Sequence, residues 1–337
     1  MRTQPVIRPF TPSDYPAIAE VLNAAWPDEA HTEASLREGD MHAPEIKWGR
    51  FVAEADGQIV GVGDYTQFEG MYHPRKFAAW VTVQPEFRGQ GIGKRLYDAV
   101  LEALMPHNPI SILSSTREDQ PQAIAWLNKL GFVEKMKYWE SRLDVQSFDF
   151  TPYAGKIEAV EAAGFELRNM KELEGDPEHK QKAYDLWLEA RLDVPRPEAL
   201  SEVRFEDYCK WVFESRYYLP EGQYVAIDRA TGQYVAMSTL WKTDGDYFRT
   251  GLTGTRRAYR RKGLALALKL KCVAFAQNYG IREIRTGNEA GNRAMLSINE
   301  ALGFVKQPIW ADYVLTIPEE TGTPVSISPS DGHPNRL

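Results

Sequence analysis

The sequence predicts two α/β lobes in tandem, each a mixed, mostly antiparallel sheet flanked by helices. Three observations carry this. First, a strand, a glycine-rich turn and a helix follow one another in W-V-T-V-Q-P-E-F-R-G-Q-G-I-G-K-R-L, around residues 88–94. Second, the unit returns as T-G-L-T-G-T-R-R-A-Y-R-R-K-G-L-A-L-A-L, where Arg260, Gly263 and Ala265 stand 172 positions after Arg88, Gly91 and Gly93. Leu96 and the L-G-F-V at 130–133 recur at the same offset, as Leu268 and the L-G-F-V at 302–305. A constant offset with no gap from Val81 to Val133 marks one fold copied twice. Third, hairpin signals at Asp56-Gly57 and Thr231-Gly232 place antiparallel strand pairs ahead of each unit.

In the first half, residues 6–10 read as an opening strand. Thr11-Pro12-Ser13-Asp14 opens a helix, with Tyr15, Ile18, Ala19, Leu22 and Trp26 at helical spacing until Pro27 stops it. Residues 32–41 give a short second helix. Residues 51–54 and 58–65 form the hairpin, and the apolar, β-branched run 77–83 is the buried strand before the loop. Ile92, Leu96, Val100 and Leu104 mark the inner face of the long helix. A strand at 109–114, a helix at 122–130 ended by Gly131, and a strand at 132–144 broken once complete the lobe.

Residues 148–164 shift in composition and read as a linker with a short helix. The N-terminal lobe is therefore expected at 1–147 and the C-terminal lobe at 165–318. In the latter, 177–193 is a helix with a proline-opened start, and a further helix begins at Ser201 and Glu202. Strands at 223–228 and 233–241 form the hairpin, and 246–255 leads into the loop. The long helix is expected at 267–279, with strands at 281–286 and 309–317. Residues 319–337, rich in Pro, Ser, Gly and Thr, read as a disordered tail.

Composition narrows the function. A chain of 337 residues has room for two cores. Its net charge of −7 argues against broad binding to nucleic acid or anionic membranes. Cys209 and Cys272 are too few and too far apart for a disulfide framework or a zinc site, and read as buried free thiols. His31, His42, His73 and His107 lack metal-ligand spacing, so no metal is expected. The first residues lack an apolar signal core and no run approaches a membrane span, so a cytoplasmic protein is expected.

The glycine turns carry the chemistry. Glycine lets a backbone come close, and a helix N-terminus supplies N–H groups at the positive end of its dipole. A pyrophosphate fits such a cradle. Arg256, Arg257, Arg260, Arg261 and Lys262 form a dense basic run on the second turn, which in an acidic chain suits a phosphorylated ligand better than nucleic acid. A strand-to-helix turn with solvent-facing basic residues is the plainer alternative.

R-x-x-G-x-G/A between a strand and a helix, with L-G-F beginning 42 residues after the arginine in both copies, resembles the GNAT superfamily of N-acetyltransferases. The duplication resembles its tandem members, mycothiol synthase-like in layout. The resemblance implies acetyl-CoA as cosubstrate and a small-molecule amine as acceptor. It implies that the pyrophosphate is held by Arg88, Gly89, Gln90, Gly91, Ile92, Gly93 and Lys94, and in the second copy by Arg260, Arg261, Lys262, Gly263, Leu264 and Ala265. It implies that the strand ends Val81, Thr82 and Val83, and Thr253, Gly254 and Thr255, offer backbone N–H groups to the thioester carbonyl. Asn288 and Asn292, good turn and cap residues in any case, would also reach the cofactor. Both loops are expected to take one CoA each.

Acyl transfer needs a deprotonated amine, donors for the oxyanion and a thiolate able to leave. Many members of the resembled family carry a tyrosine four residues before the glycine of L-G-F; here Leu127 and Asn299 stand there. Many place a glutamate on the strand before the loop, but run 77–83 has no carboxylate and the second copy has Asp246 only at its start. Asp64, Glu69 and Asp193 are further candidate bases or amine binders. The catalytic residues stay unassigned, with Asn299 and Asp246 as candidates. Thr253 and Thr255, against Val81 and Val83, favour the second lobe as the reactive one, since a polar pocket can hold an ordered water. A non-catalytic acyl-CoA-binding sensor or scaffold is the alternative reading.

Overall fold

One sheet of thirteen strands runs through both copies of the repeat. The computed structural model describes residues 4–41 and 45–318; the tail expected at 319–337, and His42, lie outside them. The first copy contributes β1 (Val6–Pro9), β2 (Gly49–Ala55), β3 (Gln58–Thr66), β4 (Lys76–Val83), β5 (Ser111–Arg117) and β6 (Val133–Asp144). The second contributes β7 (Phe165–Asn169), β8 (Gln223–Asp228), β9 (Tyr234–Trp241), β10 (Tyr247–Thr255), β11 (Glu283–Glu289), β12 (Val305–Lys306) and β13 (Trp310–Thr316). Helices α1 (Tyr15–Ala25), α2 (Glu33–Gly39), α3 (Ile92–Leu104) and α4 (Pro121–Lys129) flank the first half. After α5 (Lys156–Ala162) in the linker, α6 (His179–Arg191), α7 (Phe205–Phe213), α8 (Leu264–Tyr279) and α9 (Arg293–Ala301) flank the second.

The strand order is β1-β2-β3-β4-β5-β13-β6-β11-β10-β9-β8-β7, with β12 beside β6. The final long strand of each copy has therefore crossed to the other. β13 lies antiparallel to β5, with Thr316 opposite Ser111, and β6 lies antiparallel to β11, with Asp144 opposite Glu283. These two registers differ by the repeat offset on every residue, so the exchange is symmetric. β6 and β13 then pair with each other, Tyr138 facing Trp310. Pairing hides the N–H and C=O rows of β5 and β11 that would otherwise be raw edges.

The long helices form where their apolar stripes demand. Ile92, Leu96, Val100 and Leu104 of α3 are buried against the first half-sheet. Leu264, Ala267, Leu268, Leu270 and Val273 of α8 are buried on more than one side, since α5 also packs on that helix. α8 starts earlier than the periodicity suggests, because Gly263 caps it at φ 79°. The helix expected from Ser201 begins instead at Phe205. Ser201 spends its hydroxyl between lobes, donating to the Glu69 carbonyl at 2.7 Å and accepting from Tyr72 N–H at 2.8 Å. The break expected in the strand after the first L-G-F occurs only in its copy, as β12 and β13; β6 is continuous and adjusts by a register shift against β13. Cys272 is buried, but Cys209 is only half-buried.

Candidate active site

Each glycine turn is locked by the same two devices. Gly91 and Gly263 precede their helices in the left-handed region, at φ 78° and 79°, where a side chain is strained. Arg88 donates its Nε–H to the Val83 carbonyl at 3.0 Å, and Arg260 does the same to Thr255 at 3.2 Å. That bond folds the turn back on its strand and leaves the other guanidinium nitrogens of Arg88 facing outward. A Cβ built on Gly89 or Gly91 meets nothing within 4 Å, so the cradle is open on the ligand side. A Cβ on Gly93 meets Val83 and Val81 at 3.9 and 4.0 Å, ordinary contact, which is why the second copy tolerates Ala265 there.

Ahead of each turn two parallel strands part. β4 and β5 pair only from Lys76–Ser111 to Ala78–Leu113, then diverge, so Val81, Thr82 and Val83 lose their neighbour on that side. β10 and β11 pair from Tyr247–Glu283 to Arg249–Arg285 and diverge likewise. β10 also carries a bulge between Thr250 and Thr253, opposite β9, which β4 lacks.

Past this shared backbone the lobes differ. In the first, a cavity of about 1070 Å³ runs from Gly89, Gly91, Gly93 and Lys94 along Trp80–Val83 and through the parted strands. Glu29, His31, Arg50, Asp64, Tyr138, Glu140, Arg249 and Trp310 line it as well. In the second, α6 occupies the approach. Ala190 sits so close to β10 that a Cβ on Gly254 would stand 2.6 Å from it. Carboxylates from the same segment answer the basic run: Glu189 takes Arg256 at 2.5 Å, and Asp193 takes Arg257 at 2.8 Å and also Arg260. Arg88, by contrast, has no ion pair among the described residues, and Lys94 meets only Asp98 one turn along its own helix.

A family model for the acetyltransferase (GNAT) family matches residues 15–132 and again 181–304. The chain belongs to the acetyltransferase (GNAT) family. Among solved structures the chain is similar to a tandem GNAT protein from the clavulanic acid biosynthesis pathway, with a TM-score of 0.72 at 19% identity over 94% of this chain and 100% of that one. A GCN5-related N-acetyltransferase from Sphaerobacter thermophilus gives 0.70 at 19% identity over 93% and 95%. In sequence, 148 residues are 28% identical to aminoglycoside N(6′)-acetyltransferase type 1 of Stenotrophomonas maltophilia, covering 42% of this chain and 95% of that protein.

In this tandem GNAT acetyltransferase the residues expected at the two sites fare unequally. Val81, Thr82, Val83, Arg88, Gly89, Gly91, Gly93 and Lys94 border the cavity together. Ile92 is buried beneath the turn and anchors it, while Gln90 folds back on the Glu86 carbonyl at 3.2 Å. In the second lobe Leu264 repeats the anchor, and Arg261 accepts φ 63° where the first copy has Gly89. Asn292 caps α9, accepting from Met295 N–H at 3.3 Å, and Asn288 accepts from the Asn299 amide at 2.6 Å. Both asparagines thus spend their oxygens inside the lobe. Asn299 is buried to 1% exposure, and Asp246 is exposed at the strand end opposite the turn; neither lines the cavity. Among the cavity residues the sequence did not single out are Thr116 and Gln120, the first-copy positions 172 before Asn288 and Asn292. Applying the offset backwards would have found them.

Asp64 on β3 has the most perturbed carboxyl of the cavity. Desolvation pushes its pKa up to about 6, Arg50 opposes this and Asp40 adds to it. Arg50 lies 3.8 Å from Asp64, but Asp40 already clasps its guanidinium at 2.6 and 3.0 Å. Asp64 therefore keeps most of its charge unanswered.

Proposed function

We propose that the first lobe is an acetyl-CoA-dependent N-acetyltransferase acting on a small-molecule amine, and that the second lobe does not bind CoA. The carrying observation is the cavity that joins an unpaired glycine cradle to the parted ends of β4 and β5. The polarity of Thr253 and Thr255 by itself favours the second lobe. Ala190, Glu189 and Asp193 fill and neutralise that site instead.

The residues present fit the cosubstrate. The N–H groups of the turn and the first turn of α3, with Arg88 and Lys94, would hold its pyrophosphate. Acetyl-CoA supplies the thioester whose carbonyl carbon the amine attacks, releasing the thiol. Backbone N–H groups of Val81 and Val83, on the side of β4 that β5 has left, would face the carbonyl oxygen and hold the negative charge it gains. Asp64 would take the proton the ammonium must lose. An alkylammonium of pKa about 10.4 gives up its proton to a carboxylate of pKa near 6 roughly two units more readily than to an ordinary aspartate.

The relative from Stenotrophomonas maltophilia is an aminoglycoside N-acetyltransferase, which supports an amine acceptor. Release of free CoA thiol from acetyl-CoA, measured across a panel of amines, tests the reading. Acetyl-CoA bound without turnover of any amine would favour a non-catalytic acyl-CoA sensor.

A further inference from the structure

The cavity is lined by residues of both lobes. Trp310 belongs to the exchanged strand β13 and Arg249 to β10, yet both line the first lobe's cavity beside Trp26, Glu29, Tyr138 and Glu140. The three aromatic side chains form one wall. Trp26 packs on Trp310 with ring centroids 5.0 Å apart, and Tyr138 and Trp310 lie within 3° of parallel at 6.3 Å.

The wall is held still. Arg117 lies over both indoles, 5.4 and 5.9 Å from their centroids, and is fixed by Asp28 at 3.0 Å. The second lobe grips the same segment. Arg285 donates to the Asp28 carbonyl at 2.6 Å, and Glu29 accepts from Arg249 at 2.8 Å and from Tyr247 at 3.2 Å. Arg249 also lies 3.6 Å from Glu140. Its charge is already matched by two carboxylates, so it does not call for an anionic acceptor.

We propose that the second lobe completes the acceptor site of the first, and that this subsite takes a primary amine carried on a ring that packs against the wall of Trp26, Tyr138 and Trp310. The inference rests on the first lobe being the acetyltransferase. The physical reason is the geometry of the wall. A rigid aromatic surface gains most from a rigid flat partner, which fills it without freezing rotatable bonds; an acyclic chain loses that entropy on docking. Glu29 and Glu140 at the edge of the wall can meet polar groups on the ring. An aryl ring and the flat face of an amino sugar share this chemistry.

The test uses the full chain. Acetyl-CoA affinity is measured first by titration, and its absence would sink the parent reading together with this one. Thiol release is then compared for phenethylamine, glucosamine and, as acyclic controls, butylamine and spermidine. At least one ring amine should exceed both controls about tenfold in kcat/KM, and the better ring distinguishes aryl from sugar. Trp310→Leu, which keeps β13 apolar but removes the flat face, should raise the KM of that amine about tenfold and leave acetyl-CoA affinity unchanged. Trp310→Phe should restore most of the loss. Preference for an acyclic amine overturns the proposal, and so does an unmoved KM in Trp310→Leu. Quenching of tryptophan fluorescence by the same amines reads binding without turnover; its absence for both rings also overturns it.

Discussion

Tyr138 and Trp310 are the same position in the two copies of the repeat, and they face each other where β6 pairs with β13. The pseudo-two-fold relation between the copies runs through this pair. Its consequence is structural before it is chemical: neither half-sheet is complete without a strand from the other chain half.

Removing residues 305–318, and with them β12 and β13, is therefore expected to damage the first lobe. β5 would become a bare edge. Hydrogen exchange should show its amides, Ser111–Arg117, losing protection although they lie nearly two hundred positions away in sequence. Urea unfolding of the full chain, followed by tryptophan fluorescence and by circular dichroism, should give coincident curves. Two separated transitions would show that the exchange does not couple the lobes.

Acetyl-CoA should bind with a stoichiometry of one per chain. Gly91→Glu, which puts a strained anion in the open cradle, is expected to abolish binding. Gly263→Glu should leave it intact, because Asp193 and Glu189 already hold the arginines of that turn. Isothermal titration decides it, and two sites of similar affinity would contradict the assignment.

Asp64→Asn should lower kcat/KM about a hundredfold or more while acetyl-CoA affinity stays the same. The wild-type profile should rise with pH through about 6, as the carboxyl loses its proton and becomes able to accept one. That acidic limb should vanish in the variant. Its persistence would assign the ionisation to another group.

Lys269 is 3% exposed on α8, with Phe304 5.4 Å from its ammonium, and burial pulls its pKa down to about 8. A lysine held below its unfolded value costs stability while it is charged, and the cost disappears as pH rises from about 8 past 10. Lys269→Met should therefore stabilise the protein at pH 7 by roughly 3 kcal/mol, read from urea unfolding. The first copy points the same way, with Tyr97 at this position packed in an apolar cluster. The gap between variant and wild type should narrow toward pH 10; a constant gap would mean that packing alone is responsible.

The duplication, the strand–turn–helix units and the two glycine turns are legible in the order of residues alone. These depend on neighbours: Gly91 and Gly263 cap the helices they precede, and Arg88 and Arg260 bond carbonyls five residues back. Such contacts are written in short-range patterns. Where the cavity opens, and which strand closes which half-sheet, follow only from packing between distant segments. β6 and β13 are copies with similar patterns, and nothing local says that Thr316 should face Ser111. The ion pairs on the second cradle come from Asp193 and Glu189, more than sixty residues before the arginines they hold, and Ala190 closes on Gly254 from the same segment. Asp64 gains its raised pKa only by losing water in a cavity built from both halves. Desolvation and long-range ion pairing follow from the packed fold, and no window of sequence contains them.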